Sequence, residues 1–222
     1  MSTRRRRRPR IGCLSLIAIV GAALLLALAV LLRPRSLPQP TALAVGAPAA
    51  APRTALRSPA SFMAIADPRA RSIALFREAG RVIQHPRCLN CHPRTDRPTQ
   101  TDAMRPHMPW VSRGAGEAVL PCATCHHDRN VEAAGVPGNP GWQLAPSEMA
   151  WQGQSLGDIC RQLIDPARSH MTRAELLDHM ATDDLVGWAW HPGGERTPAP
   201  GTQAQFGALI DAWLSTGAQC PA

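Results

Sequence analysis

The chain of 222 residues contains no lysine and no tyrosine, and only three phenylalanines. All 24 basic side chains are therefore arginines, and the first 60 residues hold ten of them (Arg4 to Arg8, Arg10, Arg33, Arg35, Arg53, Arg57) without a single Asp or Glu. The remainder carries 14 Arg against 16 acids, a net charge of −2, so the formal +8 of the whole chain belongs to its amino terminus. No basic stripe with interleaved aromatics follows, which excludes a surface built to track a phosphate backbone; no nucleic-acid partner is expected. With aromatics at 4% and 22 prolines and 17 glycines interrupting the chain, side chains alone fill a core poorly. That shortage raises the question of what else supplies apolar bulk.

What is present begins with Ile11 to Leu32, a run of 22 residues without a charge. As a helix rising ~1.5 Å per residue it is long enough for a bilayer core of ~30 Å. A secretory signal has a shorter apolar core with a small-residue cleavage site directly after it. Here the run ends in "RPRS", and "TALAVGAPAAAP" comes later. The expectation is an uncleaved single span, with a cleaved signal as the alternative. Positive-inside bias then assigns residues 1–10 to a cytoplasmic Arg-rich tail and 11–32 to the anchor, with the rest exported. The location implied is the inner membrane, single-pass, with the folded part in the periplasm. Arg pairs suggestive of twin-arginine export occur in any poly-Arg segment, and Cys13, with no apolar run before it, does not resemble a lipidated cysteine. Residues 33–60, rich in Pro, Ala and Arg, read as an extended linker. The soluble domain is expected over 61–222.

Within it the frame "CLNCH" (Cys88, Cys91, His92) is followed by "CATCH" (Cys122, Cys125, His126). Covalent attachment of a c-type haem needs two thiols spaced to reach its two vinyl groups and a histidine directly after them to meet the iron. Both frames satisfy all three conditions. A structural zinc site would also accept four thiolates from two C-x₂-C pairs, but it leaves His92 and His126 without a role. Two short disulfide loops are a further alternative, although such loops are generally redox-active rather than structural. The reading is two covalently bound haems, with His92 and His126 as proximal ligands. Of the remaining cysteines, Cys160 and Cys220 are free to pair in an oxidising compartment; two separate buried thiols are the other possibility.

The scaffold reads as helical. Asp67-Pro68 starts a helix whose apolar residues Ile73, Phe76, Ala79 or Gly80, and Ile83 repeat at helical spacing. Ser155 with Asp158 opens another. Thr172 with Glu175 and Thr202 with Gln205 are capping-box patterns, and Gly217 follows the last helix where a C-cap glycine stands. No segment alternates as a strand. The fold class expected is all-α: a loop-rich dihaem cytochrome c domain behind an N-terminal transmembrane helix.

Each iron has a sixth position. His107, in the "MRPHMPW" loop between the frames, is the preferred distal ligand of one haem, because that loop can fold back. His179 on "ELLDHM" is preferred for the other, with Met149 in "LAPSEMAW" and His85 as alternatives. Met149 and Met180 also suit plain core packing, His85 suits a helix cap, and His127 is poorly placed beside a proximal ligand.

The strings "HPRCLNCHP", "RGAG", "PCATCH", "AGVPGNPGWQLAPSEMAWQG", "LVGWAWHPG", "PAPGT" and "GAQCP", spanning roughly His85 to Pro221, resemble the small dihaem c-type cytochromes described as the cytochrome subunit of isoquinoline 1-oxidoreductase-type molybdenum hydroxylases. The resemblance implies an electron-transfer subunit that serves a molybdopterin and iron–sulfur enzyme. It says nothing about the anchor, and the chain has no molybdenum-binding or iron–sulfur cysteine pattern of its own. The function expected is a membrane-anchored periplasmic cytochrome that relays electrons from a molybdenum hydroxylase, or another redox enzyme, to a cytochrome or oxidase acceptor of the respiratory chain. It is not expected to be an enzyme by itself. The alternative is a dihaem peroxidase with one open haem site, although such an enzyme generally needs a larger scaffold and no acid/base pair stands beside either frame. A haem-based sensor would need a cytoplasmic output domain, which is missing.

Overall fold

A computed structural model of the chain describes residues 54–114 and 120–222. The tail and membrane anchor expected over 1–32, and the linker up to residue 53, lie outside the described residues. Among those described, no helix is long and apolar enough to cross a membrane.

The described chain is mostly α. In order, α1 spans Pro68–Ile83, α2 Pro86–Leu89, α3 Leu156–Ile164, α4 Pro166–Ser169, α5 Arg173–Thr182, α6 Asp184–Gly187 and α7 Gln203–Ser215. Short 3₁₀ turns lie at Pro59–Phe62, Cys122–Thr124, Glu132–Ala134, Ser147–Met149 and Trp188–Trp190. One feature is not legible as an alternating pattern: a two-stranded antiparallel hairpin pairs β1 (Thr99–Gln100) with β2 (Arg105–Pro106). Strands of two residues are too short to show a period.

The helix starts follow the capping chemistry of the sequence. Asp67 accepts from the backbone N–H groups of Arg69 and Ala70, at 3.2 and 3.1 Å, and Ser155 Oγ accepts from Asp158 N at 3.1 Å. Full reciprocal capping boxes form at Thr172/Glu175 and Thr202/Gln205. Each satisfies backbone donors that the first helical turn leaves without an internal partner. Gly217 follows α7 with φ of 96°, a conformation that favours glycine.

The core is a three-helix pack in which α7 lies against both α1 and α5. Trp213 of α7 and Phe76 of α1 meet with ring centroids 4.6 Å apart, and both are fully buried. All three phenylalanines are buried here, so the few aromatics are concentrated where helices cross. The buried stripe of α1 includes Ser72, Leu75, Phe76, Ala79, Gly80, Val82 and Ile83, while Ile73 is only half-buried. Ser72 accepts the gap left by this rotation: its Oγ receives Gln219 N at 3.0 Å, tying the carboxyl-terminal segment to α1. The α5–α7 contact depends on the absence of a side chain at Gly207, where a Cβ would lie 2.6 Å from that of Ala181. The packed chain also starts before residue 61. Leu56 is buried in the core, and Gly201 N donates to the Thr54 carbonyl at 2.7 Å, so the end of the Pro/Ala/Arg-rich stretch belongs to the fold.

Cys160 on α3 and Cys220 form a disulfide across a sequence separation of 60 residues. In the loop-entropy description such a loop closure constrains the unfolded chain by ~4 kcal/mol. Replacing both cysteines with alanine is expected to lower unfolding free energy by about that amount in a denaturant titration, with the content of any covalently attached group unchanged. Equal midpoints for the variant and the parent would show that the bridge does not constrain the unfolded ensemble.

Candidate functional site

Each CxxCH frame lines its own cavity. The frame at Cys88 follows α1 directly: His85 N-caps α2, and Cys88 then lies in the last turn of that short helix. Its cavity, about 340 Å³, is walled by Cys88, Cys91, His92, Trp151, Met180 and His179 among others. The frame at Cys122 begins in a 3₁₀ turn, and its cavity of about 400 Å³ is lined by Cys122, Cys125, His126, His107, Trp142 and the loop around Pro137. Both volumes are in the range of small-molecule and cofactor sites.

The two histidines of the frames are held in the same way. His92 Nδ1 lies 2.7 Å from the Met149 carbonyl, and His126 Nδ1 lies 2.7 Å from the Pro137 carbonyl. A carbonyl only accepts, so in each ring Nδ1 carries the proton and Nε2 keeps its lone pair. This is the second-shell arrangement by which metal-ligating imidazoles are oriented. Each ring is also stacked on a tryptophan: His92 on Trp151 at 3.4 Å between centroids and 5° between planes, His126 on Trp142 at 4.6 Å and 11°. Burial pushes the His92 imidazole down to about 3 and lowers His126 below the ordinary value, so both rings are neutral at physiological pH.

The distal candidates sort themselves by the same test. His107 lines the cavity of His126, with ring centroids 5.9 Å apart and 49° between planes. Two imidazoles bonded at ~2 Å on opposite sides of one metal place their centroids ~6 Å apart. His107 Nδ1 is 2.9 Å from the Pro109 carbonyl, which again leaves Nε2 with its lone pair. His179 lines the cavity of His92. Its Nδ1 lies 3.1 Å from Asp183 Oδ2, with Asp183 held at the amino terminus of α6. The cavity of His126 is thus lined by one further histidine, His107, and that of His92 by two, His179 and His170; His92, His126, His107 and His179 all have Nδ1 engaged by an oxygen acceptor.

The alternatives fare differently. His85 Nδ1 accepts from Arg87 N at 3.3 Å, so this ring has the opposite tautomer and serves as a helix cap. Met149 uses its backbone carbonyl to hold His92; its buried side chain lines the same cavity. Met180 is buried there as well. His127 is exposed.

The cysteines of the first frame are unpaired, and burial pushes their thiols up, to about 12 for Cys88 and about 11 for Cys91. Among the described residues no three His, Cys, Asp or Glu side chains converge on one point. The two frames are nonetheless neighbours: Cys122 is close enough to raise Cys91, and Cys91, Trp142, Trp188 and Arg87 line both cavities.

Several residues outside the frames build these walls. The segment after Leu144 lies along the first frame, with Ala145 N donating to the Cys91 carbonyl at 3.1 Å and Trp151 N to the His92 carbonyl at 3.0 Å. Asn130 Oδ1 accepts from Trp188 Nε1 at 2.9 Å and from Gly138 N at 3.0 Å, joining the second frame's loop to the shared wall. Gly138 has no alternative, because a Cβ there would lie 2.2 Å from the Arg129 carbonyl oxygen. Trp151, Trp142, Asn130 and Arg87 escape a motif search, since none is part of the CxxCH frame. The signal for the two tryptophans was their presence in a domain poor in aromatics.

The walls also hold donors without acceptors. Trp151 Nε1–H and Arg87 Nε–H are buried and unpartnered in the protein. Such groups cost about 1–3 kcal/mol each when left unsatisfied. Paired imidazoles, flanking thiols and apolar walls suit a haem. No family model, curated protein or solved structure matches the chain, so the argument for its function stands on this geometry.

Proposed function

We propose that the chain is a dihaem c-type cytochrome that relays electrons and does no bond chemistry of its own. The observation that carries this reading is the repeated one: each CxxCH histidine shares its cavity with a histidine from elsewhere in the chain, His107 with His126 and His179 with His92, and these four rings are tied through Nδ1. Bound haem supplies a one-electron couple whose potential depends on axial ligands and burial. The protein's part is to bind it through Cys88, Cys91, Cys122 and Cys125. The imidazoles that would hold the two irons are His92 with His179, and His126 with His107. A filled sixth position limits ligand exchange and still permits electron transfer. The shared wall of Trp142, Trp188 and Arg87 brings the two sites next to each other, as successive one-electron steps require.

The Cys160–Cys220 disulfide supports an oxidising compartment, in keeping with a periplasmic domain anchored by residues 11–32. A molybdenum hydroxylase as electron donor follows from the sequence resemblance alone, and the membrane-side acceptor would be a cytochrome or oxidase. Low-temperature EPR of the purified full-length protein tests the central point. Two low-spin ferric signals of the bis-imidazole kind are expected, together with little spectral change when carbon monoxide meets the reduced protein and negligible peroxide turnover. A high-spin signal, stoichiometric carbon monoxide binding at one haem and rapid peroxide reduction would replace the relay with a dihaem peroxidase.

A further inference from the structure

Arg87 is the one charged residue among the buried side chains of the described chain, at 3% exposure. It stands one position before the first haem-attachment cysteine and lines both cavities. One guanidinium nitrogen, Nη2, is paired with Asp102. Nε has no partner at all. The guanidinium carbon lies 5.9 Å from the ring of Trp188, which also borders both cavities. Asp102 is itself fixed from outside, accepting from Thr197 N at 3.1 Å and Thr197 Oγ1 at 2.6 Å. Burial pushes that carboxyl up, but the Thr197 hydrogen bonds and the Arg87 charge outweigh it, so Asp102 is ionised.

A buried cation needs a reason, because removing a guanidinium from water costs several kcal/mol and one part-exposed carboxylate returns only some of it. The Asp102 pair leaves Nε buried without a hydrogen-bond partner in the protein, and it keeps the charge in the wall that the two cavities share. We infer that Arg87 is a charge shared by the two haem sites, placed in their common wall to raise the reduction potential of both irons together. This inference rests on the dihaem reading above.

The physics is one of sign. Reduction adds one electron to each site and lowers its charge by one, so a fixed neighbouring cation favours the reduced form and a fixed anion the oxidised form. In a poorly solvated wall these interactions are much stronger than at the surface. Arg87 and Asp102 form a dipole with its positive end in the wall and its negative end part-exposed near Thr197. Removing the two ends should therefore have opposite effects, whereas a purely structural pair would lose the same thing whichever partner is removed.

The test is a spectroelectrochemical titration of the full-length holoprotein, with haem content and spin state checked first, on the parent, Arg87→Gln, Arg87→Lys and Asp102→Asn. Both midpoint potentials should fall in Arg87→Gln, both should rise in Asp102→Asn, and Arg87→Lys should stay near the parent. If Arg87→Gln does not fold, Asp102→Asn decides alone, since its substituted side chain is part-exposed and its rise at both haems is required. Two low-spin haems with a shift at one site only, shifts in the same direction in both variants, or no shift would overturn the shared-charge role and leave the dihaem reading intact. A parent protein without covalent haem would overturn the dihaem reading itself.

Discussion

Replacing Cys88 and Cys91 with alanine is expected to cut covalently attached haem from two per chain to one, and the same change at Cys122 and Cys125 should do so as well. The two frames serve different cavities, each with its own histidine, carbonyl acceptor and stacked tryptophan, so losing the thiols of one leaves the other with all its attachment groups. Thioether bonds survive acid extraction and denaturing electrophoresis, and non-covalent haem does not. Haem stained on the gel and quantified against protein therefore reads attachment and not affinity. The cost to folding is expected to differ between the frames. Cys88 packs against the hydrophobic core and Cys91 borders both cavities, whereas Cys125 is exposed. The first pair of substitutions should lower the thermal midpoint more. One haem per chain in the parent, or zinc in stoichiometric amount, would end the dihaem reading.

The second large effect concerns the sixth ligands. His107→Ala and His179→Ala should each leave two covalent haems in place and convert one of them to a high-spin form that binds carbon monoxide when reduced. The double variant should convert both. The conversion follows from the tautomers: with Nδ1 of His107 directed at the Pro109 carbonyl and Nδ1 of His179 at Asp183, the lone pair of Nε2 is left for a metal. Asp183→Asn provides the graded test. An amide in place of the carboxylate weakens the orienting bond and the basicity of the imidazole, and losses of second-shell partners typically cost ~10–100-fold in metal affinity or activity. Partial carbon monoxide binding at the His92 haem, with none at the other, is the expected result. If His179→Ala leaves the spectrum unchanged, the neighbouring Met180 or His170, which line the same cavity, takes the ligand role and the electron relay stands.

Much of the scaffold was legible before any coordinates. Each helix start rests on a side chain and a backbone N–H two or three residues away, as at Asp67, Ser155, Thr172 and Thr202, and an interaction of that range is encoded by local spacing. The CxxCH frames are likewise local, because two thiols and an imidazole within five consecutive residues need no tertiary contact to be recognised. The Cys160–Cys220 pairing followed from cysteine parity once four thiols had been assigned to haem. Periodicity was less exact: the stripe predicted through Ile73 on α1 is rotated toward Ser72 and Leu75, because the carboxyl-terminal segment around Gln219 docks there and a hydroxyl is needed to bind it.

The distal histidines mark the boundary. His85, His107, His170 and His179 are equivalent as letters, and composition offered no ground for choosing finally among them. In the fold, His107, His179 and His85 differ in what lies opposite Nδ1. For His107 and His126 it is a carbonyl, for His179 a carboxylate, and for His85 a backbone N–H that reverses the tautomer. Arg87 belongs to the same class: beside a CxxCH frame it reads as one arginine among 24, and only the meeting of two cavities makes it a buried charge with a free donor. Contacts between residues far apart in the chain, such as His92 with Met149 and Arg87 with Asp102, depend on how loops of different length close over the helices. Loop closure leaves no periodic trace in the sequence, and so the frames and caps could be read from the letters while the gathering of the histidines around two cavities and the shared wall were decided by the fold.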